Sequence, residues 1–357
     1  MNMPLSSALL GIRAIDLRDT DERARLDAFV RAHPQGTPFH LPAWSVAVAE
    51  GCGQKSHTLV AERADGTLAG MVPLIEVRSP LFGKALVSNG FAVGGGILAN
   101  DAGAVQALAD AAWALAEKLG CPTLDLRGVG GDGPEWIVDD QTYLGFTRPL
   151  AASDEAELSA IPRKQRAEVR KALENDLEVV IGRHDSDARG HYKVYAESVR
   201  NLGTPVFPAK LFRSVLREFE DSADILTIRR QGTAVASVLS LYFNGTVFPY
   251  WGGGTADARA LRANDRMYFA LMAHARSRGC VRFDFGRSKA GTGAAAFKKN
   301  WGFQPVPLMY VTRVAAGGTP REINPLNPRY RLKVEAWKKL PLWVANQIGP
   351  HISRGLG

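Results

Sequence analysis

Apolar residues recur along this chain in strand-like and helix-like patterns that follow a similar order twice. In the first half the patterns predict a strand, helices, two strands joined at Asp65-Gly66, an alanine-rich helix over 101–119 and another strand. In the second half they predict helices, three strands with turns at Gln231-Gly232 and Asn244-Gly245, a helix over 261–278 and a closing strand over 281–286. This repetition predicts a duplicated α+β unit.

The predicted duplication divides the 357 residues into two lobes and a tail. Chains of this length commonly hold two domains, at about 150 residues each. We expect an N-terminal lobe over 1–150, a C-terminal lobe over 151–320 and a tail over 321–357. The first boundary is placed where Arg148-Pro149-Leu150 meets the polar segment SDEAE.

Composition indicates packed cores and narrows the class of protein. Apolar residues make up 46% of the chain, and no apolar run reaches the roughly 18 residues that a transmembrane helix needs. The N-terminus is a poor signal peptide because it lacks a basic segment, so a cytoplasmic location is expected. The 3 cysteines lack C-x-x-C spacing and the 7 histidines are scattered, so neither a disulfide framework nor a metal site is expected.

Positive charge is concentrated at the end of the chain. Residues 321–357 carry seven Lys/Arg against two Glu, which is +5 of the net charge of +8. The remaining +3 over the first 320 residues is too small to favour a general nucleic-acid-binding face on the main lobes.

The segment 281–303 combines a strand pattern with glycines and basic residues. Phe283 and Phe285 alternate with polar positions as in a half-buried strand, and glycines then free the backbone. Arg287 and Lys289 are predicted to lie in the freed loop, ahead of an element that carries Lys298. Free N–H groups and cations at strand-to-helix turns bind anions and acyl-carrying ligands. Alternatively, this is a tight turn with solvated charges.

Several motifs in order resemble the FemAB-like transferases. They are DFG-x-SK, G-x-G and FKxxWGF over 284–303, with TPFHLPAW (Thr37–Trp44), IPRKQRAEVRKAL (Ile161–Leu173), ESVRNLGTPVFPAKLF (Glu197–Phe212), GGGTADARALRANDRMYFALM (Gly252–Met272) and the tail NPLNPRYRLKVEAWKKLPLWVANQIGP. The resemblance covers roughly residues 10–350 and is closest to the FemAB-related group associated with PEP-CTERM/exosortase systems in exopolysaccharide-producing bacteria. It implies two tandem GNAT-like (acyl-CoA N-acyltransferase-like) lobes, each a mixed, mostly antiparallel sheet flanked by helices.

The resemblance also implies acyl transfer to an amine or hydroxyl. The acceptor must lose a proton and a tetrahedral oxyanion must be stabilised. Lys289 is the candidate for stabilising the oxyanion, with Arg287 beside it, and Asp284 for orienting or deprotonating the acceptor. Asp284 is equally plausible as a structural partner of a neighbouring arginine. In the FKxxWGF segment, Lys298 and Trp301 are the candidates for binding the donor.

The glycine-rich end of the strand near residue 250 is the expected donor site. In GNAT-type enzymes donor phosphates contact N–H groups at a strand-end loop and the next helix N-terminus. Here the resemblance places that loop over 255–265, with Arg259, Arg262 and Asn264 facing the donor. Tyr250 and Trp251, at the end of the preceding strand, are further binding candidates. The usual Q/R-x-x-G-x-G/A signature for acyl-CoA is absent, which argues against acetyl-CoA as donor. The resemblance implies an aminoacyl-type donor, such as aminoacyl-tRNA, or another activated acyl donor instead. Alternatively, Asn264 is only an N-cap and the two aromatic residues belong to the core.

Two basic helices carry the remaining candidates. Arg163, Arg166 and Arg170 share one helical face, with Lys164 beside them, and would bind a phosphate-bearing ligand or an RNA backbone; the alternative is a solvated surface helix. The tail over 327–349 is basic and amphipathic, which fits peripheral contact with the inner face of a membrane, or packing over a lobe with its charges in water.

The sequence thus predicts a cytoplasmic acyltransferase that acts on a cell-envelope or exopolysaccharide precursor, a small-molecule or lipid-linked saccharide. It is expected to hold no tight cofactor and to take its activated acyl group from aminoacyl-tRNA or acyl-CoA. An acetyl-CoA-dependent N-acetyltransferase of an amino sugar is one alternative. A non-catalytic scaffold at the membrane surface of an exopolysaccharide or exosortase system is another. Neither a Ser/His/Asp series nor G-x-S-x-G is present.

Overall fold

The computed structural model of the chain describes residues 10–319 and 328–357. Its strands are β1 (Gly11–Ile15), β2 (Lys55–Glu62), β3 (Leu68–Ser79), β4 (Gly83–Ser88), β5 (Leu98–Ala99), β6 (Thr123–Arg127), β7 (Trp136–Asp139), β8 (Tyr143–Pro149), β9 (Glu178–Gly182), β10 (Ala223–Arg230), β11 (Thr233–Phe243), β12 (Thr246–Gly254), β13 (Arg282–Lys289), β14 (Pro305–Pro307) and β15 (Tyr310–Val314). Its α-helices are α1 (Thr20–Ala32), α2 (Pro42–Cys52), α3 (Ala102–Lys118), α4 (Asp154–Ala160), α5 (Arg163–Glu174), α6 (Asp185–Asn201), α7 (Ala209–Phe219), α8 (Ala263–Ser277), α9 (Gly293–Asn300), α10 (Pro328–Lys338) and α11 (Leu342–Ser353).

The first compact unit comprises, among the described residues, 10–140, 309–319 and 354–357. Its sheet has the strand order β1-β2-β3-β4-β6-β15-β7, with β5 paired to β3. The pairs are antiparallel except for β4 with β6, which the helix α3 connects. Helix α3 packs on the sheet through buried alanines, Leu108 and Trp113, which form one core with side chains of β2, β3 and β6.

The second compact unit comprises residues 141–308 and, among the described residues of the tail, 328–353. Its sheet has the strand order β14-β8-β13-β12-β11-β10-β9. Again the pairs are antiparallel except one, β12 with β13, and here helix α8 makes the connection. Both units therefore contain a strand, a helix and a parallel strand within a mostly antiparallel sheet, which confirms the predicted α+β duplication.

Two hairpins in the second unit follow the predicted turn residues. Gln231 and Gly232 have φ values of 48° and 78°, and Asn244 and Gly245 have values of 44° and 69°. Positive φ at both central residues matches the right-handed twist of the flanking strands, and glycine, asparagine and polar residues adopt it most readily. These turns fix the order β10-β11-β12.

Strand partners distant in sequence depart from the predicted lobe limits. Strand β8 precedes residue 150 but pairs with β13 in the second sheet, whereas β15 pairs with β6 and β7 in the first sheet. The helices of the tail, α10 and α11, cluster with the second unit. A local pattern specifies that a segment is a strand but not which distant edge it will join. Among the described residues, no helix is long and apolar enough to cross a membrane.

Candidate active site

The two parallel strands of the second unit diverge after a short paired stretch. Ladder pairs join Thr246 to Arg282 and Val247 to Phe283, and none is recorded between these strands beyond that point. Each strand continues on its other side, β12 along β11 and β13 along β8. The facing edges of the diverging ends therefore have backbone groups that no β12–β13 ladder uses. Ligands commonly bind at the carboxyl ends of strands in such sheets, and an extended ligand can pair with a free strand edge.

Both diverging strands are irregular where they separate. In β12, Tyr250 is an extra residue between the pairs formed by Pro249 and Trp251. In β13, the register shifts between Asp284 and Arg287. Bulges of this kind often lie next to active sites because they redirect side chains and interrupt the ladder. The irregularities place Tyr250 and Asp284, two predicted site residues, beside the opening.

Asp284 and Lys298 bind the backbone of the bulge in β13. The Asp284 carboxylate accepts a 2.8 Å hydrogen bond from the Gly286 N–H, where φ is 66°. The Lys298 amine donates to the carbonyls of Gly286 at 3.2 Å and Arg287 at 2.9 Å. Its predicted role as a contact to donor phosphate is thus not what this structure shows, because the amine is buried and engaged with carbonyls.

Burial perturbs both groups in the direction that favours their neutral forms. It raises the pKa of the Asp284 carboxyl, although its hydrogen bond from Gly286 and the charge of Lys298 oppose the shift. It lowers the pKa of the Lys298 amine to about 8, against the attraction of Asp284. Strongly perturbed groups beside an opening are candidates for proton transfer. Asp284 fits that role chemically and also supports the bulge.

Arg287 and Lys289 lie on β13 and not in a loop. The strand continues to Lys289 because residues 287–289 pair with Gly145, Leu144 and Tyr143 of β8, a partner that the local pattern could not reveal. The guanidinium of Arg287 lies 4.7 Å from the centre of the Tyr143 ring and the amine of Lys289 lies 5.6 Å from it. The strand thus brings the three predicted catalytic residues onto one element, with the bulge between Asp284 and the two cations.

The glycines at the end of β12 allow very close packing. A Cβ atom at Gly253 would lie 2.2 Å from the Ser198 hydroxyl of α6, and one at Gly254 would lie 2.4 Å from the Ala258 Cβ. The loop that follows is held by Glu197, whose carboxylate accepts a 2.8 Å hydrogen bond from the Ala256 N–H. The glycines therefore set the path of the chain into the predicted donor loop.

A surface pocket of about 440 Å³ lies at this loop and at the start of α8. It is lined by Glu168, Ala258, Arg259, Arg262, Asn264, Asp265 and Phe297. The structure thus brings together the three residues predicted to face the donor: Arg259, Arg262 and Asn264. Phe297 also contacts Phe285 of β13, with ring centres 6.1 Å apart, so the pocket adjoins that strand.

The start of α8 is strained and has an unsatisfied polar atom. Arg262 is the N-cap, with φ of 51° and ψ of 31°, so the predicted N-cap role of Asn264 is wrong. A left-handed conformation is uncommon in a residue with a long side chain and marks strain. The Asn264 Oδ1 atom is buried and has no hydrogen-bond partner among the described residues. A free oxygen beside a helix N-terminus is able to accept a hydrogen bond from a ligand.

Acidic groups balance the pocket's cations. Arg262 Nε donates a 2.6 Å hydrogen bond to the Glu168 carboxylate, which lowers the pKa of that carboxyl. Asp265 accepts a 2.6 Å hydrogen bond from Gln165, and burial raises the pKa of its carboxyl. Arg259 is exposed. Helix α5 therefore contributes Glu168 to the pocket lining, and its Gln165 holds the lining residue Asp265. The basic residues predicted from its sequence do not line the pocket.

The predicted basic face of α5 is only partly available. Arg163, Lys164 and Arg170 are exposed, as the amphipathic pattern predicted. Arg166 instead donates hydrogen bonds to the carbonyls of Ile161 at 3.1 Å and Ser159 at 2.9 Å. Its guanidinium satisfies backbone groups near the end of α4, as cations near helix ends often do, so a structural role accounts for two of its N–H groups and ligand binding by Arg166 stays a prediction.

Two tryptophans predicted to touch the ligand are core residues in this structure. Trp301 is fully buried against Tyr268 and Phe297. Trp251 is also buried, and its ring lies 5.0 Å from that of Phe212. Large aromatic side chains contribute strongly to cores, so these residues shape the site as parts of the core. Tyr250 remains half-buried.

The sequence reasoning missed residues that reach the site from other elements. Tyr143, Glu197 and Phe297 come from β8, α6 and α9. Phe297 lies within FKxxWGF and Glu197 begins ESVRNLG, so the motifs contained a signal for two of them. In the described ranges 10–319 and 328–357, no cluster of three or more His, Cys, Asp or Glu is arranged to hold a metal ion.

Comparisons with known proteins identify a domain in this part of the chain. Residues 162–299, which include β12, α8 and most of α9, match the family model of the acetyltransferase (GNAT) domain. A search of curated proteins found no match to the chain. The second unit therefore contains a GNAT-type acyltransferase domain, and this match supports an acyltransferase.

Solved structures show the same tandem fold. FemX is 15% identical, with a TM-score of 0.64 over 84% of this chain and 96% of that chain. A tandem GNAT protein from the clavulanic acid biosynthesis pathway is 16% identical, with a TM-score of 0.54 over 87% and 100%. The C-terminal domain of a putative lysylphosphatidylglycerol synthetase from Agrobacterium fabrum is 12% identical, with a TM-score of 0.54 over 83% and 93%. Identities this low establish a shared fold only.

Proposed function

We propose that this protein transfers an acyl group, of aminoacyl or acetyl type, from an activated donor to an amine or hydroxyl of a cell-envelope or exopolysaccharide precursor. The observation that supports this most directly is the opening between β12 and β13, which adjoins the pocket at the start of α8. One site thus offers two diverging strand ends beside which an extended acyl arm would lie, and a helix N-terminus for its anionic end.

The donor's anionic group would bind at the pocket. Arg259 is exposed there, and the first turn of α8 supplies backbone N–H groups. Arg262 is already paired with Glu168, so it would hold the loop in place while Arg259 meets the ligand. The buried Asn264 oxygen would accept a hydrogen bond from the donor.

The acyl carbonyl would lie towards the bulge in β13. The acceptor's nitrogen or oxygen attacks the carbonyl carbon, and the carbonyl electrons move to the oxygen. Lys289 and Arg287 would stabilise that oxyanion, and Asp284, whose pKa is raised by burial, would take the acceptor's proton. Collapse then breaks the bond to the donor, and the proton held by Asp284 passes to the leaving thiolate or ribose oxygen, which restores the carboxylate.

The setting of the reaction is a hypothesis that rests on the sequence resemblance. FemX and a putative lysylphosphatidylglycerol synthetase share the fold, and the name of the latter describes a lipid that carries an amino acid. An aminoacyl-tRNA donor, a saccharide acceptor that is small or lipid-linked, a cytoplasmic location and a PEP-CTERM/exosortase association are parts of this proposal. The GNAT match favours one further candidate, an acetyl-CoA-dependent N-acetyltransferase of an amino sugar.

Thermal unfolding with candidate donors tests the proposal. A ligand that binds only the folded state raises the midpoint, so acetyl-CoA, longer acyl-CoAs, aminoacyl-tRNA and nucleotide sugars are compared. Arg259→Ala should abolish the shift given by the true donor, whereas Arg18→Ala, at a side chain 92% exposed in the first unit, should not. A shift with aminoacyl-tRNA alone supports the first proposal, and one with CoA compounds supports the acetyltransferase. A shift that is the same in both variants would refute the placement of the donor.

A further inference from the structure

The C-terminal helices expose large apolar side chains. Leu332 of α10 is 83% exposed, and Trp343 and Ile348 of α11 are 70% and 40% exposed. Leu202, at the end of α6, is 70% exposed. Tryptophan is usually well buried in globular proteins, so one that is mostly in solvent points to a surface with another partner.

Both helices are held on the same short segment of the second unit. The ideal Cβ of Gly203 would lie 2.5 Å from Val334, so α10 lies directly against the end of α6. Helix α11 packs at Val206, where the Ser353 hydroxyl donates a 2.8 Å hydrogen bond to the Val206 carbonyl. Because α10 and α11 each bury one side against residues 203–206, other sides of both helices are left exposed. We name Leu202, Leu332, Lys339, Trp343 and Ile348 the tail surface.

Positive charge predominates in the helices that carry the tail surface. Residues 328–353 contain five Lys/Arg and one Glu, so they carry +4 of the chain's +8 in 26 residues. The single acid, Glu335, forms an ion pair with Lys338 at 2.7 Å. Lys339 is exposed, and in the chain it lies between the exposed apolar residues Leu332 and Trp343. Cations flanking exposed leucine and tryptophan match a layer with anionic head groups over an apolar interior.

We infer that the tail surface docks on an anionic lipid bilayer. Trp343 and Leu332 would enter the interface between head groups and acyl chains, where tryptophan is favoured because its ring is amphipathic. Lys339 would meet the anionic head groups. The apolar side chains distinguish this surface from a site for nucleic acid, which would use cations along a polar groove.

Co-sedimentation of the full chain with lipid vesicles tests the inference. Vesicles of phosphatidylcholine alone are compared with vesicles that also contain phosphatidylglycerol. The chain should bind the anionic vesicles, and added salt should weaken binding because it screens exposed charges. Trp343→Ser should weaken binding by about tenfold through lost apolar burial, and Lys339→Glu by about fivefold or more through reversed charge.

A matched control distinguishes binding through this surface from non-specific adsorption to vesicles through any exposed apolar residue. Leu81 of the first unit is 66% exposed, and Leu81→Ser should leave vesicle binding unchanged. Unfolding midpoints of all variants show whether each is folded. If Trp343→Ser does not fold, Lys339→Glu alone tests the surface. The inference would be overturned if the chain does not bind anionic vesicles, or if neither the Trp343 nor the Lys339 substitution weakens binding. Binding of RNA in place of lipid would also overturn it. Vesicle binding is measured without an acyl donor, and the thermal shift with acyl donors is measured without lipid. The membrane-docking proposal and the proposed acyl transfer can therefore fail independently.

Discussion

Lys298 gives a pH dependence that can be calculated from its surroundings. The amine is buried, donates to the carbonyls of Gly286 and Arg287, and has a pKa lowered by burial from 10.5 to about 8. In the unfolded chain it keeps its ordinary pKa. Between these two values the unfolded state binds more protons than the folded state, so this group makes the protein more stable as pH rises. Replacement by methionine removes the amine and keeps the length of the side chain.

The size of the effect follows from the shift. A change of about 2.5 pKa units corresponds to about 3 kcal/mol over the whole titration, at about 1.4 kcal/mol per unit. Roughly 2 kcal/mol of this falls between about pH 7.5 and about pH 9.5. Wild-type stability should therefore gain about 2 kcal/mol relative to Lys298→Met over that interval. Cysteines and tyrosines also titrate near its upper end, but they do so equally in both proteins and cancel in the difference.

Urea unfolding at the two pH values measures the difference. Fluorescence and circular dichroism should both be followed, because two compact units can unfold in separate steps. Lys299→Met is the matched control, because the side chain of Lys299, the residue next to Lys298, is exposed. The stability of this variant should differ from that of wild type by the same amount at both pH values. Parallel pH profiles for wild type and Lys298→Met would refute the reasoning, since they would mean that the amine is not desolvated in the folded protein.

Three other substitutions have defined outcomes. Arg166→Ala should lower the unfolding midpoint by the equivalent of about 1 kcal/mol, because two backbone carbonyls lose their hydrogen-bond partner. The thermal shift given by the acyl donor should stay intact. Loss of that shift at unchanged stability would show that Arg166 contacts the ligand. Gly253→Ala should cost about 1–3 kcal/mol by urea unfolding, because its Cβ meets Ser198, whereas Gly293→Ala, with nothing within 4 Å, should cost little; equal effects would contradict the close packing. His191 is buried with its pKa lowered to about 3, so between about pH 7 and pH 5 the wild type should lose about 2 kcal/mol more than His191→Gln; identical acid profiles would show that His191 is not buried as a neutral ring.

Local sequence patterns predicted most elements of the fold but not all of their extents. The hairpin turns at Gln231-Gly232 and Asn244-Gly245 were predictable because few residues adopt positive φ without strain. Strand β13 was predicted to end at Gly286, yet it continues to Lys289 because β8 offers an edge there. Glycine permits a bend, but only the presence of a partner strand decides whether the chain pairs beyond it.

The candidate site was predicted in part. Arg259, Arg262 and Asn264 lie within six positions of one another, so a short loop before a helix necessarily keeps them close, and they line one pocket. Lys298 and Trp301 were predicted to bind a ligand from the same motif but are buried. Burial depends on what packs above a residue, and a motif does not contain that information.

The sequence by itself determined the alternation of helices and strands, the duplicated α+β order, the turn residues and the basic, amphipathic character of the tail. These properties depend on neighbours a few positions apart, where side-chain period and backbone preference act directly. Tertiary structure alone decided that β12 and β13 separate after two pairs, that Glu168 neutralises Arg262, and that Asp284 and Lys298 share a desolvated bulge. Each of these features depends on how residues distant in the chain are placed. Their interaction energies exist only once the sheet and its covering helices have excluded water.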